Sequence, residues 1–185
     1  YEEQISYIKE CGFNAVLFNP PFESERHGYD TVDFFKVDRR LGTNEEFKAL
    51  VKKFQDAGIR VVLDGVFNHV GRRFAAFEDV KQRREASDKT GWFYLNFGGN
   101  SPYNDGFWYE GWEGHMELVK LNLQNEGVVD YIRRAVLFWI DEFGIDGLRL
   151  DVAYLLPEWF FEFLRRTVRE RRDDFFLMAE VIHGQ

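Results

Sequence analysis

The chain alternates between segments with the hydrophobic spacing of helices and short runs that are apolar throughout. Apolar residues three and four positions apart predict four amphipathic helices. In three places a glycine ends the helical pattern and an apolar run follows at once, namely at Gly12, Gly58 and Gly144. A fourth apolar run, Phe175 to Ala179, follows the last helix. This alternation, with strands that are apolar on both faces, predicts an α/β fold with a buried parallel sheet.

Local signals support the predicted helices. Thr43 and Glu46 have the spacing of a capping box, and they precede the apolar residues of the second helix. Pro157 stands where a fourth helix would begin. The exception is the stretch 71–122, which is rich in Gly, Asn, Trp and Tyr and has no sustained periodicity. Loops of that length are usually functional or disordered, and the aromatic residues favour function. We therefore interpret residues 1–185 as one domain with an inserted loop region at 71–122.

Composition excludes several classes of protein. With 185 residues and 45% hydrophobic residues, the chain can bury the core of one domain. The net charge of −8 argues against a nucleic-acid or anionic-membrane partner. No apolar run approaches the about 20 residues that cross a bilayer. No signal peptide is evident, so we expect a soluble protein and slightly favour the cytoplasm.

Two residue types carry further information. The only cysteine, Cys11, excludes an internal disulfide, and we expect it to be a buried small apolar residue. Aromatic residues make up 18% of the chain, which suggests a ligand with flat apolar faces, such as a sugar.

Polar residues stand where the predicted strands end. They are Asp64, Asn68 and His69 after the second strand, Arg149 and Asp151 at the third, and Glu180 after the fourth. Ligands of parallel α/β folds bind at the carboxyl ends of the strands. Two carboxylates on successive strands, with an arginine beside one of them, are typical of the nucleophile and acid of a glycosidase. On the pattern alone, Asp64 could equally hold loop amides, and Arg149 with Asp151 could be an ordinary ion pair.

Three sequence blocks narrow these alternatives. Residues 64–70 (DGVFNHV), 147–153 (GLRLDVA) and 178–181 (MAEV) resemble, in this order, three conserved blocks of the α-amylase family, glycoside hydrolase family 13. Residues 27–43 and 119–122 (VKLN) also resemble segments of that family. The resemblance implies part of a (β/α)8 TIM barrel, about strands 2 to 5 of the eight, with a domain-B-like insertion after the second strand of this chain.

The resemblance also implies roles for single residues. Asp151 would be the nucleophile and Glu180 the acid and base, with Arg149 favouring the ionised form of Asp151. Tyr29 would stack under the sugar and His69 would bind its hydroxyl groups. Asp64 would be the structural carboxylate of this substrate-binding site. The implied activity is that of a retaining glycoside hydrolase or transglycosylase on α-glucosidic linkages of maltodextrins or starch-like glucans.

Two departures from the family pattern matter. The family's third carboxylate, on its seventh strand, and its first strand have no counterpart before Gln185. We therefore expect an incomplete barrel that is poorly active alone and that can associate through unpaired strand edges. Asn68 matches a calcium-ligand position, but Lys120 stands where calcium-dependent members have Asp, as in the neopullulanase and cyclomaltodextrinase branch. The expectation is no metal and no cofactor, with calcium as the alternative.

Two other functions compete with the hydrolase. The first is a non-catalytic α-amylase-like barrel that serves as a binding or partner module. The second is an unrelated metal-dependent barrel enzyme with Asp64, His69, Glu180 and His183 as ligands. The intact Arg149, Asp151 and Glu180 argue against the first, and the absence of a close ligand pair such as H-E-x-x-H argues against the second.

Overall fold

The computed structural model describes residues 2–181, and its centre is a four-stranded parallel sheet. The helices are α1 (Ile5–Glu10), α2 (Asn44–Asp56), α3 (Ala75–Arg83), α4 (Glu126–Phe138) and α5 (Glu158–Arg169). The strands are β1 (Ala15–Phe18), β2 (Phe22–Ser24), β3 (Thr31–Val37), β4 (Arg60–Gly65), β5 (His69–Gly71), β6 (Leu95–Asn96), β7 (Trp108–Tyr109), β8 (Gly111–Trp112), β9 (His115–Lys120), β10 (Gly147–Leu150) and β11 (Phe176–Ala179). A π-helical turn at Trp139–Phe143 extends α4.

The central sheet has the order β1-β4-β10-β11, and every neighbouring pair is parallel. Helices α2, α4 and α5 precede β4, β10 and β11 in the chain. The predicted α/β fold is therefore confirmed, and the sheet forms part of a (β/α)8 barrel. Since the strands run in one direction, their carboxyl ends lie along one edge of the sheet, where Arg149 of β10 pairs with Asp64 of β4.

The helix boundaries follow the local signals. The Glu46 amide donates to Thr43 Oγ1 at 3.2 Å and the Thr43 amide donates to Glu46 Oε2 at 2.8 Å, which completes the capping box. Gly58 follows the end of α2 with φ of 81°, and Gly144 ends the π-helical turn with φ of 69°. These left-handed conformations cost glycine little, so the helices end where the apolar runs begin.

The core between sheet and helices is largely aromatic. Trp139 is fully buried and stacks on Phe22 with the ring centroids 4.4 Å apart. Its indole N–H donates to the Phe34 carbonyl oxygen at 2.6 Å, so the polar atom of this large side chain is satisfied. A considerable share of the aromatic content therefore serves packing, not ligand binding.

The insertion is a folded subdomain, not a loop. It contains α3 and two small antiparallel sheets, β5-β9-β8 and β6-β7. The rings of Phe77 in α3 and Tyr109 in β7 pack 4.8 Å apart in its core. Its strands are two to six residues long, too short to produce a recognisable period, so the sequence pattern indicated an inserted loop or domain-B-like region without revealing its strands.

The prediction that Cys11 is buried was wrong. Cys11 is exposed at the end of α1, a helix in which no residue is buried. An amphipathic pattern predicts which face of a helix can be buried, but the depth of burial depends on what packs against that face. No helix among the described residues is long and apolar enough to cross a membrane.

Candidate active site

One guanidinium group joins three carboxylates at the carboxyl edge of the sheet. Arg149 Nη1 donates to both carboxylate oxygens of Asp64 at 2.7 Å and to Asp151 Oδ1 at 3.0 Å. Arg149 Nη2 lies 2.6 Å from Glu180 Oε1. The side chains of these four residues are at most 16% exposed. The convergence expected from the strand ends is therefore present, and the acidic groups outnumber the one cation by three to one.

Asp64 is the most deeply buried carboxylate of the three, with a side chain that is 1% exposed. Besides Arg149, it accepts a hydrogen bond of 3.0 Å from the Tyr29 hydroxyl group. Burial raises its pKa although both donors oppose that change. Asp64 thus orients Arg149 and Tyr29, which is the arrangement that a structural carboxylate needs.

Asp151 has an unusual acidity. Burial raises the pKa of its carboxyl group to about 7, and the neighbouring Asp64 and Glu180 carboxylates act in the same direction. Arg149 lowers this pKa, as the sequence suggested, but burial and the nearby acidic groups outweigh it. The group therefore changes its charge near neutral pH, which is typical of functional sites.

Each of the two carboxylate oxygens of Glu180 contacts a different donor. Its Oε1 faces Arg149, and its Oε2 accepts a 2.8 Å hydrogen bond from the Val152 amide. Val152 has φ of 42° and ψ of 44°, a left-handed conformation that is a genuine outlier for a β-branched residue. This backbone directs an N–H group at Glu180, a contribution that the sequence blocks did not reveal because nothing local predicts a left-handed valine.

His69 is buried beside Asp151, with its Nε2 4.0 Å from Asp151 Oδ2. Asn68 Nδ2 lies 3.2 Å from His69 Nδ1. Because an amide nitrogen donates, His69 Nδ1 is assigned as the acceptor and His69 Nε2 carries the hydrogen. Nε2 has no hydrogen-bond partner among residues 2–181. Burial lowers the pKa of His69 to about 4, so it is a neutral donor beside the Asp151 carboxyl group.

Two aromatic rings border the carboxylates. Tyr29 contacts Asp64 through its hydroxyl group, and burial and the Asp64 charge raise its pKa to about 12, which keeps it neutral. Trp112 of the insertion packs with its ring centroid 5.9 Å from that of His69. Its aromatic character was the only sequence signal for a role in the site. His183 lies outside the described residues.

The residues around Asn68 do not fit a calcium site. The Lys120 ammonium group, opposite His69 in the β5–β9 pair, forms an ion pair with Glu110 where calcium would need oxygen donors. The Asn68 amide nitrogen is engaged with His69. Within residues 2–181, no group of three or more His, Cys, Asp or Glu side chains is arranged to hold a metal ion.

The acidity of Asp151 predicts a pH-dependent cost to stability. The native carboxyl group keeps its proton up to about pH 7, whereas the unfolded chain releases it near the ordinary value of 3.8. The native state thus binds more protons between these values, and the contribution of Asp151 to stability falls as the pH rises through this window. We expect Asp151→Asn to raise the free energy of unfolding at pH 8 by about 1 kcal/mol or more.

Urea unfolding at pH 4 and pH 8 measures this effect. The gain from Asp151→Asn should be much smaller at pH 4, where the native carboxyl group keeps its proton and many of the unfolded chains hold theirs as well. Asp130→Asn removes a carboxylate that is 61% exposed on α4 and should change stability little at either pH. An equal gain at both pH values would contradict the titration of Asp151.

The fold and the site together define a glycosidase-like barrel protein, with paired carboxylates at the ends of adjacent parallel strands. The model of the α-amylase catalytic domain matches residues 2–185, and the chain belongs to the α-amylase family of glycoside hydrolases. It is 37% identical to a cyclomaltodextrinase from a Bacillus species, over 98% of this chain and 33% of that protein. It is 34% identical to neopullulanase 2 from Thermoactinomyces vulgaris, over 98% and 31%. The expected resemblance to this branch is confirmed.

Solved structures show the same relationship. The cyclic α-maltosyl-(1→6)-maltose hydrolase from Arthrobacter globiformis superposes with a TM-score of 0.91 at 34% identity, over 98% of this chain and 41% of that one. A debranching enzyme from Nostoc punctiforme superposes with a TM-score of 0.89 at 39% identity, over 100% and 40%. The chain therefore spans about a third of the length of the curated relatives named above.

Proposed function

We propose that the protein containing this chain is a retaining glycoside hydrolase or transglycosylase for α-glucosidic linkages in maltodextrins or starch-like glucans. The observation that carries the proposal is the binding of Asp151 and Glu180 to one guanidinium group at adjacent strand ends. A retaining mechanism needs two carboxyl groups about 5 to 5.5 Å apart. The names of the relatives support the substrate class, since they include a cyclomaltodextrinase and a maltogenic α-amylase.

The proposed reaction has two displacements. In the first, a carboxylate oxygen of Asp151 bonds to the anomeric carbon while the glycosidic bond breaks, and Glu180 donates its proton to the leaving oxygen. In the second, Glu180 takes a proton from water or from a sugar hydroxyl group, whose oxygen then displaces Asp151. Two inversions restore the α configuration. Water as the acceptor gives hydrolysis, and a sugar as the acceptor gives transfer.

The neighbouring residues assist these steps. Arg149 opposes the effect of burial on Asp151 and thereby increases the ionised fraction of the nucleophile. His69 donates its Nε2 hydrogen to a hydroxyl group of the sugar that is cleaved, and Tyr29 packs its ring against that sugar. Asp64 holds both Arg149 and Tyr29 in place.

Further features of the protein follow from the same proposal. We expect its activity not to need calcium, because Lys120 stands where calcium-dependent members of the family have an Asp ligand, and its ammonium group pairs with Glu110. The edge strands β1 and β11 expose apolar residues, with Leu17 44% and Phe176 49% exposed. Further barrel strands or a second copy would cover these edges. Because the chain covers 33% of the cyclomaltodextrinase, the proposed activity is that of the protein that contains it.

A covalent trap tests the proposal. We expect a 2-deoxy-2-fluoro or 5-fluoro α-glucosyl compound with a good leaving group to attach to Asp151. Fluorine slows both displacements, and the good leaving group restores the rate of the first alone, so the covalent intermediate accumulates. Peptide mass mapping of this chain and of the full-length protein locates the adduct. The Asp151→Asn variant is the control and should carry none.

Each outcome of the trap is informative. An adduct on Asp151 in either form supports the retaining mechanism, and an adduct only in the longer form shows that this chain alone is an incomplete site. A folded full-length protein with neither adduct nor turnover of maltodextrin contradicts the hydrolase and favours a binding module.

A further inference from the structure

A turn without regular secondary structure carries Tyr29 into the site. Residues 25–30 lie between β2 and β3 and belong to neither a helix nor a strand. One backbone hydrogen bond closes this turn, from the Glu25 amide to the Asp30 carbonyl oxygen at 3.2 Å. The other amide groups need other acceptors, because a buried backbone N–H group without a partner costs free energy. We call residues 25–30 the tyrosine turn.

The Asp30 carboxylate organises the tyrosine turn from within. The Asp30 side chain is 1% exposed, although the side chains of Arg26 and His27 are 60% and 47% exposed. Asp30 Oδ1 accepts hydrogen bonds from the His27 amide at 3.1 Å and from the Arg26 amide at 3.2 Å. Asp30 Oδ2 accepts a third from Arg26 Nε at 3.3 Å. One buried side chain thus joins the beginning of the turn to its end.

The charge of Asp30 strengthens these contacts. Burial acts to raise the pKa of its carboxyl group, but the hydrogen bonds from the Arg26 and His27 amides outweigh burial and hold the pKa below its usual value. Asp30 is therefore ionised at neutral pH. Hydrogen bonds to an ionised acceptor are about twice as strong as those between neutral groups. Removal of this carboxylate would leave two amides of the turn without their acceptor.

The tyrosine turn is also fixed against the insertion. The Arg73 amide donates a hydrogen bond to Glu25 Oε1 at 2.8 Å. Gly71 of β5 faces the turn so closely that a Cβ atom at this position would lie 2.5 Å from the Asp30 carbonyl oxygen. The turn therefore has no room to shift toward the insertion.

Tyr29 has two attachments, one at each end of its side chain. Its hydroxyl group donates to Asp64 Oδ2 at 3.0 Å, and its backbone adjoins Asp30. A hydrogen bond at the hydroxyl group alone would leave the ring free to pivot about that oxygen. The direction of the ring therefore depends on the backbone of the tyrosine turn as well.

We propose that Asp30 is a positioning residue that holds the tyrosine turn in the shape at which the Tyr29 ring packs against the sugar. The proposal rests on the proposed function, and it adds to that function a residue that acts through Tyr29. Because Asp30 is buried within the turn, its effect on the reaction has to pass through the ring beside it. A misplacement of about 1 Å at a positioning group can cost about 10²-fold in rate.

A double-mutant cycle in the full-length protein tests the proposal. Asp30→Asn keeps the size of the side chain but places an N–H group against a donor, and it should lower kcat/KM for maltotriose about three- to tenfold. Asp30→Ala removes both acceptor oxygens and should lower it about ten- to a hundredfold. In a Tyr29→Ala background, neither change should lower kcat/KM by more than about twofold, because the ring that Asp30 positions is absent.

Asp146→Asn is the matched control. Asp146 is also buried, at 7% exposure, and it accepts hydrogen bonds from the Val61 amide at 2.8 Å and from Arg172 Nη1 at 2.9 Å. It directly precedes β10 at the amino end of the sheet, whereas Tyr29 contacts the carboxyl end. A loss of activity that arises from weaker folding should therefore be the same with and without the Tyr29 ring.

Fluorine NMR reports on the ring without any turnover. Full-length protein labelled with 3-fluorotyrosine should show a resonance for Tyr29, which Tyr29→Phe identifies by its loss. Asp30→Asn should shift or broaden this resonance, because the ring takes other directions when the turn is released. Asp146→Asn should leave it unchanged.

The two measurements separate this proposal from the proposed function. Suppose that the wild-type protein turns over maltodextrins, that the loss from Asp30→Asn is as large without the Tyr29 ring, and that the resonance does not change. The role of Asp30 is then overturned and the function stands. If no α-glucan is turned over but Asp30→Asn still changes the Tyr29 resonance, the function fails and the effect of Asp30 on the ring stands. An equal change of the resonance in Asp146→Asn would also overturn the proposal.

Discussion

Replacing Glu180 by Gln should slow maltodextrin hydrolysis by the full-length protein about 10²- to 10⁴-fold. Gln is close to Glu in size but can neither protonate the leaving oxygen nor take a proton from water. The structure predicts that the loss depends on the leaving group, because Asp151 remains available for the first displacement. An α-glucosyl fluoride, whose leaving group needs no proton, should therefore still form the covalent intermediate. Initial rates with both substrates measure the difference.

Azide provides the decisive control for this variant. As an anionic nucleophile it needs no general base, so it should accelerate breakdown of the intermediate and yield α-glucosyl azide. Asp151→Asn should show no such rescue because it cannot form the intermediate. Glu162→Gln changes a glutamate that is 41% exposed on α5 and should leave the rates as in the wild type. Suppose that the wild type is active, that Glu180→Gln loses activity on both substrates equally, and that azide does not restore it. This result would exclude Glu180 as the acid and base.

The parts of the fold that could be predicted depend on signals between near neighbours in sequence. The capping box of Thr43 and Glu46 and the glycine ends at Gly58 and Gly144 involve only a few adjacent residues, and all formed as predicted. The meeting of Asp64, Asp151 and Glu180 was also predictable, although they are distant in sequence. Parallel strands place their carboxyl ends on one edge, so the residues that follow them have to meet.

The remaining features depend on tertiary packing. The insertion forms sheets from strands such as β6 and β8, each with two residues, whose partners are set by packing rather than by periodicity. The pKa of Asp151 is set by burial against neighbouring acidic groups, which outweighs the visible Arg149 two positions earlier. The left-handed backbone of Val152 is likewise imposed by its surroundings, and strain of this kind concentrates at functional sites.

Arg149→Met should produce a large loss of stability. Arg149 is the cation shared by Asp64, Asp151 and Glu180, and its removal leaves three carboxylates in contact with little solvent. Removing one partner of a buried ion pair lowers the free energy of unfolding by about 3–5 kcal/mol. The pKa values of Asp64 and Asp151, which are already raised, should then rise further, so the native state would bind more protons than the unfolded chain over a wider range. The loss should therefore be larger at pH 8 than at pH 5.

A double variant distinguishes charge repulsion from lost packing. Adding Asp64→Asn to Arg149→Met removes one of the repelling charges, and it should recover part of the free energy of unfolding at pH 8 in a double-mutant cycle. Arg165→Met, at an arginine that is 45% exposed on α5, controls for the loss of a cation and should change stability little. Equal losses from Arg149→Met at pH 5 and pH 8, with no recovery in the double variant, would show that packing explains the cost. The opposite result would show that one guanidinium group makes it possible for the Asp151 and Glu180 carboxyl groups to lie together at the end of this sheet.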